Sequence, residues 1–180
     1  MKDNNLDTKI LISQEIISKR INEIANKIAF DYQGKNVILL MVMKGSFIFM
    51  SDLIRALWIS GLKNCKLDFV NISSYGDKVE SSRNPQIKLS GDIDYLNKNI
   101  LIVEDIVDSG HTIMILKDKL LKSLPSSLRV VSLLSKPARR EVDVEIEYLG
   151  IEIKNVWVEG YGLDTDNKGR GRPDIIELNN

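Results

Sequence analysis

The chain has 180 residues, 25 basic and 25 acidic side chains and a formal net charge of zero. With 43% hydrophobic and 28% charged residues it has the size and balance of one globular domain with a sizeable core, which excludes a disordered chain and a coiled coil. Zero net charge gives no global field for nucleic acid or an anionic membrane, so any anion site must be built locally.

The opening MKDNNLDTK lacks the apolar core of a signal peptide. From Ser13 to Phe30, Ile16, Ile17, Ile21, Ile24, Ala25 and Ile28 recur at helical spacing and predict an amphipathic first helix that ends near Gly34. Val37 to Met43 is a continuous apolar run and predicts a strand covered on both faces. It is the longest such run, far short of the about 20 residues needed to span a bilayer. Lys44-Gly45-Ser46 opens a second helix, whose apolar positions Phe47, Met50, Leu53, Ile54, Leu57 and Trp58 stop at Gly61. The single cysteine, Cys65, cannot close an intramolecular disulfide and reads as a buried thiol in a reducing compartment. The expectation is a soluble, cytoplasmic protein.

Leu67 to Ile72 predicts the next strand and Ile100 to Val103 a fully buried one, ended by Glu104 and Asp105. Between them Ser73 to Gly91 is polar and long for a connection, so it predicts a loop or loose hairpin that could serve as a mobile lid. Thr112 to Lys122 predicts a helix and Val130 to Leu134 another buried strand. Strands alternating with helices imply an α/β fold with a mostly parallel central sheet flanked by helices, and ligands at the carboxyl ends of the strands. After Gly150 come short strand-like pieces, Ile151 to Ile153, Val156 to Val158 and Ile175 to Leu178, around a Gly-rich charged stretch. They predict a small flap over the sheet edge. The whole reads as a single domain over 1–180, with a core of about 10–150, a flexible loop of about 73–91 and a hood formed mainly by 151–180, to which the N-terminus is a candidate second contributor.

The stretch VEDIVDSGHT, residues 103–112, places Glu104, Asp105 and Asp108 beside one small polar turn. Carboxylates crowded in this way need a positive or hydroxyl-rich partner. Asp108-Ser109-Gly110-His111-Thr112 lies between strand and helix, so its backbone N–H groups and the Ser109 and Thr112 hydroxyls point to the positive end of a helix, an anion cradle suited to phosphate. Gly110 permits the turn. Glu104 and Asp105 stand within the span of a pentose 5-phosphate, and carboxylates accept hydrogen bonds from vicinal hydroxyls. The dinucleotide fingerprint has the opposite order, and no P-loop motif occurs. The reading is a ribose phosphate. His111 has no acid or serine in a triad-like order and no second histidine for a metal, so it reads as a loop residue near phosphate.

VEDIVDSGHT resembles the phosphoribosyl diphosphate (PRPP) signature of the type I phosphoribosyltransferases, without a gap. The remainder resembles the hypoxanthine (hypoxanthine-guanine) branch. Met43-Lys44-Gly45-Ser46 is similar to its diphosphate loop, whose first peptide bond can be cis, with Met in place of the usual Leu. Ser74-Tyr75-Gly76 resembles the start of its closing loop. Lys136 falls where the family places the lysine that donates to the exocyclic oxygen of a 6-oxopurine. Val156 to Asp164 resembles the hood motif, which implies that Trp157 stacks on the purine, the Val158 backbone reads its edge and Asp164 lies beside purine and metal. Arg170, six residues on, matches the diphosphate-binding arginine, in a KGRGRP setting that departs from the family's more aromatic version.

The resemblance implies transfer of the 5-phosphoribosyl group of PRPP to N9 of hypoxanthine, and of guanine, in purine salvage. It implies Mg²⁺ as cofactor, near Glu104, Asp105 and Asp164, and PRPP on Lys44, Gly45, Glu104, Asp105, Asp108 to Thr112 and Arg170. Asp108 is the candidate general base, with capping of the loop as its rival role. The implied partners are the two small substrates and further copies of the chain in a homodimer or homotetramer, with neither nucleic acid nor membrane. Two alternatives stay open: a nucleotide-sensing, RNA-binding regulator on the same fold, and a xanthine- or pyrimidine-preferring transferase.

Overall fold

A computed structural model of the chain describes residues 9–73, 86–90 and 93–178. Helix α1 (Gln14–Asp31) begins where Ser13 Oγ accepts the Ile16 N–H, and it buries Ile17, Ile21, Ile24, Ala25 and Ile28 along one face. Strand β2 (Val37–Met43) follows, then α2 (Phe47–Ile59), which buries Phe49, Met50, Leu53, Ala56 and Leu57. The remaining strands of the main sheet are β3 (Cys65–Ser73), β4 (Gln86–Leu89), β5 (Asn99–Val107), β6 (Ser127–Ser135) and β7 (Tyr148–Glu152), with helix α3 (His111–Leu121) between β5 and β6. Their order across the sheet is β4-β3-β2-β5-β6-β7, parallel throughout except for the antiparallel β4. One apolar cluster lies on the α1 and α2 face, around Leu39, Leu101, Val103 and Val131. The other lies on the α3 face, around Ile38, Leu40, Ile100, Ile102 and Val130. Alternate residues of β2 and β5 thus feed opposite layers, which is why both strands read as unbroken apolar runs.

A second, antiparallel sheet has the order β1-β9-β8, made of β1 (Lys9–Ile12), β9 (Ile175–Leu178) and β8 (Trp157–Glu159). The N-terminal strand does contribute to it. Two readings of the sequence change, and of the loop or hairpin expected after β3 the structure shows a hairpin. Residues Ile151 and Glu152, expected in the flap, lie in β7, the parallel edge strand of the main sheet. Strand β5 does not end at Glu104 but continues to Val107, because β6 pairs with it through Glu104↔Ser132, Ile106↔Leu134 and Val107↔Ser135. Part of the polar connection forms β4, the returning arm of a hairpin on β3, whereas Ser74, Tyr75 and the rest of 74–85 lie outside the described residues. Among the described residues no helix is long and apolar enough to cross a membrane.

Because Leu53 is fully buried where α2 meets the sheet, Leu53→Ala is expected to lower the unfolding free energy by about 2–5 kcal/mol. Urea denaturation at fixed protein concentration measures it, and a loss within experimental error would contradict this packing.

Candidate active site

Strand β2 has β3 on one side and β5 on the other, so the chain reverses its direction of travel across the sheet at the β2/β5 boundary. In parallel sheets the crevice outside the carboxyl ends of such a pair is the natural ligand position. The turn Lys44 to Ser46 after β2, the turn Asp108 to Gly110 after β5 and Lys136 after β6 all lie at that end. The Met43-Lys44 peptide is cis. Ser46, fully buried, donates its hydroxyl to the Val42 carbonyl and so ties the turn back onto β2, while Lys44 is exposed.

The turn after β2 and the acids of β5 are in direct contact. A Cβ built on Gly45 would stand 1.8 Å from Asp105 Oδ2, so only glycine allows the backbone this close. Asp105 accepts the Ile106 N–H at 2.9 Å through Oδ1. Glu104 and Asp105 are both buried, and among the described residues Glu104 Oε2 has no hydrogen-bond partner. Burial, then the charge of Asp105, raises the Glu104 pKa well above the ordinary carboxylate value; burial raises that of Asp105 too, while hydrogen bonding to Glu104 and to backbone works the other way. Two buried acids, one with an orphaned oxygen among the described residues, form a donor set suited to a hard divalent ion with its waters, or to substrate hydroxyls. Among the described residues no three His, Cys, Asp or Glu side chains gather closely enough to hold an ion unaided.

Asp164 stands apart from that pair and is engaged on both oxygens: Oδ1 pairs with Arg170 Nη2 at 2.5 Å and Oδ2 accepts the Asn167 N–H at 2.8 Å. Arg170 Nη1 donates to the Gly162 carbonyl at 2.6 Å, and its charge also acts on Asp105. Gly162, at φ 99°, lies on the turn after β2, since a Cβ there would meet the Gly45 carbonyl oxygen at 2.1 Å. The arginine, the hood and the turn are thereby brought to one wall.

On the other side of the crevice, α3 starts after Gly110, which adopts φ 93° and offers no side-chain cap. Its first N–H groups lack intrahelical acceptors, as at any helix start. His111 is the first residue of α3 rather than a loop residue, and its Nε2 lies 3.0 Å from Glu141 Oε2. Ser109 and Thr112 flank the same turn, Thr112 exposed. Among the described residues Asp108 accepts no backbone N–H; Arg139 Nε stands 2.8 Å from its Oδ1. That oxygen is buried, and the approach falls outside hydrogen-bond geometry, so the contact is an ion pair. Lys136 is 7% exposed and its pKa lies below the ordinary lysine value, chiefly through burial, with Asp108 opposing the shift and Arg139 adding to it. Val158 is buried in β8, and Trp157 beside it is 52% exposed with Nε1 donating to Thr165 Oγ1 at 3.0 Å.

Sequence reasoning missed Arg139, Glu141 and the bond from the Tyr161 hydroxyl to Asp52 that moors the hood to α2. No local pattern marks these contacts, since Asp108 and Arg139 meet only because β5 and β6 are neighbours.

The family model "Phosphoribosyl transferase domain" matches residues 7–166. A hypoxanthine-guanine phosphoribosyltransferase of Dictyostelium discoideum is 37% identical over 174 residues, 96% of each chain. A hypoxanthine phosphoribosyltransferase of Escherichia coli is 37% identical over 169 residues, 93% of each chain. Among solved structures, a hypoxanthine-guanine phosphoribosyltransferase of Bacillus anthracis superposes with a TM-score of 0.86 at 37% identity, covering 95% of this chain and 98% of that one. The hypoxanthine phosphoribosyl transferase of Trypanosoma cruzi gives 0.88 at 37% identity, covering 95% and 91%. With the family's domain matched over most of its length and this degree of identity to its relatives, the chain belongs to the phosphoribosyltransferase family, within the hypoxanthine (hypoxanthine-guanine) branch.

Proposed function

We propose that the protein is a purine-salvage enzyme that transfers the 5-phosphoribosyl group of PRPP to N9 of hypoxanthine, and of guanine, releasing diphosphate with inversion at C1. The observation that carries this reading is the buried Glu104 and Asp105 pair at the β2/β5 crevice, with Asp105 against the Gly45 backbone and Glu104 Oε2 without a hydrogen-bond partner among the described residues. Such a pair suits the two ribose hydroxyls of PRPP. The α3 N-terminus and the Ser109 and Thr112 hydroxyls receive the 5-phosphate. The diphosphate meets the Lys44-Gly45 backbone, the Lys44 ammonium and Arg170, whose guanidinium can bind two phosphate oxygens at once.

Lys136 donates to the purine O6, Trp157 stacks on the ring and the Val158 backbone reads its edge. A desolvated lysine is a stronger donor to a carbonyl oxygen than one in water, and this is what burial of Lys136 provides. As the C1 bond to diphosphate lengthens and N9 approaches, Asp108 accepts or holds the proton the base must lose. Catalysis is thus mostly positioning and charge stabilisation. Bound Mg²⁺ would supply positive charge to offset the negative charge of the diphosphate. Glu104 and Asp105 would hold it directly or through water, with Asp164 behind Arg170 as the hood's contribution. Ser74 and Tyr75, assigned by resemblance to the closing loop, lie outside the described residues.

The chain also has a face suited to a second copy of itself. Phe47, Ile54 and Trp58 form one stripe of α2. Leu67 and Phe69 pair with Leu39 and Met41, so they point to the same side of the sheet as α2. Phe47, Trp58, Leu67 and Phe69 are each at least half exposed, an apolar surface of the kind that homodimers cover. The T. cruzi relative has been studied for the role of its C-terminal region in oligomeric state and activity. A homodimer or homotetramer of a cytoplasmic enzyme is the corresponding proposal here.

Incubating the protein with Mg²⁺, PRPP and, separately, hypoxanthine, guanine, xanthine, adenine and uracil is expected to give nucleotide with the first two and none once the metal is chelated. Absence of product from every 6-oxopurine refutes the reading, and salt-sensitive binding of structured RNA without turnover would favour the regulator instead. Asp108→Asn is expected to lower kcat about 100-fold or more while PRPP binding persists; lost PRPP binding or lost folding points to a structural role. Light scattering after size exclusion is expected to find a dimer or larger for the parent and a monomer for Phe69→Asp. A monomeric parent at micromolar concentration rejects the interface.

A further inference from the structure

The short 3-10 turn after β6, Pro137 to Arg139, is followed by a second arginine, and the two have different partners. Arg140 Nη2 donates to Ser135 Oγ at 2.7 Å, which ties it to its own strand. Arg139 reaches across to the end of β5 and pairs with Asp108 Oδ1 at 2.8 Å. The Asp108 side chain is 40% exposed although Oδ1 is buried, so its exposed polar atom is Oδ2. A carboxylate gripped through one oxygen presents the other in a fixed direction.

Lys136 is the third charged group of this corner. Its backbone N–H bonds to the Val107 carbonyl at 3.0 Å and its carbonyl accepts the Arg139 N–H at 3.0 Å, so lysine and arginine are fixed at the two ends of one turn beside Asp108. The Asp108 charge favours the Lys136 ammonium and the Arg139 charge opposes it. The two cations therefore compete for one carboxylate. With Arg139 absent, Lys136, whose ammonium the Asp108 charge already favours, is drawn toward the buried oxygen, because a buried, unpaired carboxylate oxygen is costly.

We infer that Arg139 is a positioning residue of the transferase site: by holding Asp108 through its buried oxygen it turns the other oxygen toward the purine and keeps that carboxylate from drawing Lys136 off the base. The inference rests on Asp108 and Lys136 acting on the purine as proposed above. Arg139 itself, on an exposed turn with its side chain 48% accessible, touches no reacting atom in this scheme.

Steady-state kinetics with hypoxanthine and PRPP test it in Arg139→Gln, Arg139→Lys, Asp108→Asn and the double variant Asp108→Asn/Arg139→Gln. Arg139→Gln is expected to raise the hypoxanthine KM and lower kcat, each about tenfold, and to move the PRPP KM by less than about twofold. Arg139→Lys, which keeps the charge, is expected to recover at least half of that loss on a logarithmic scale. In the Asp108→Asn background the glutamine substitution is expected to add little, because the residue acts through the carboxylate. Unchanged purine KM and kcat in Arg139→Gln, or the same fractional loss with and without the Asp108 carboxylate, overturns the inference about Arg139 alone. Parent-like turnover by Asp108→Asn has a different meaning, since it removes the base assignment on which the inference stands.

Discussion

The close approach of the Gly45 backbone to the Asp105 carboxylate is the contact on which the site depends. Strands β2 and β5 are neighbours, and the turn leaving one runs over the acid that ends the buried part of the other. A single methyl group would occupy the space of a carboxylate oxygen. The same peptide has a second close neighbour, for Gly162 of the hood lies against the Gly45 carbonyl. Core strand, turn and hood are therefore stacked as three layers, with the Asp105 carboxylate against the turn and the turn's backbone against the hood. Arg170, whose charge acts on Asp105, is anchored on the Gly162 carbonyl, which belongs to that stack.

Charge is arranged around this stack in a way that composition conceals. The net charge is zero, yet the crevice holds two buried acids on β5, a desolvated lysine after β6, and an arginine on each flank. Opposite charges are paired at the edges, Arg170 with Asp164 and Arg139 with Asp108, whereas Glu104 at the centre keeps an oxygen without a partner among the described residues. Burying a carboxylate in this state is unfavourable, and the protein meets the cost by raising its pKa. A substrate that brings both hydroxyl donors and a bound cation relieves it. The three carboxylates of VEDIVDSGHT thus divide into a pair that awaits the ligand and a single one already held by the protein.

Much of this was legible in the sequence because the informative patterns are local. The strand-turn-helix from Ile100 to Leu121 is contiguous, so its apolar run, its acids and its glycine turn all fall within one window. The ends of elements were less legible. Acidic residues ordinarily stop a buried strand, but β6 continues to pair beyond Glu104 and carries β5 on to Val107. The short β7 read as part of the flap because five residues with polar flanks carry no sign of which sheet they join. Contacts made by distant segments were invisible: His111 with Glu141, Tyr161 with Asp52, and Arg139 with Asp108 join residues 30, 109 and 31 positions apart.

Those distant contacts make one unit of two subsites that the sequence presents separately. The segment after Lys136 folds back on the phosphate turn, with the Glu141 and Val142 N–H groups both donating to the Ser109 carbonyl at 3.0 and 3.2 Å. Gly110, at φ 93°, lies directly beneath it, and a Cβ at that position would stand 2.9 Å from the Val142 carbonyl oxygen. The turn proposed for phosphate and the segment that follows Lys136 are accordingly packed on one another, with Gly110 leaving no room for a side chain. A displacement of either is passed to the other through backbone contacts, which are stiff, and not through exposed side chains, which are compliant. Asp108, the proposed general base, stands at this junction, bonded by charge to the far turn, so its position depends on both turns.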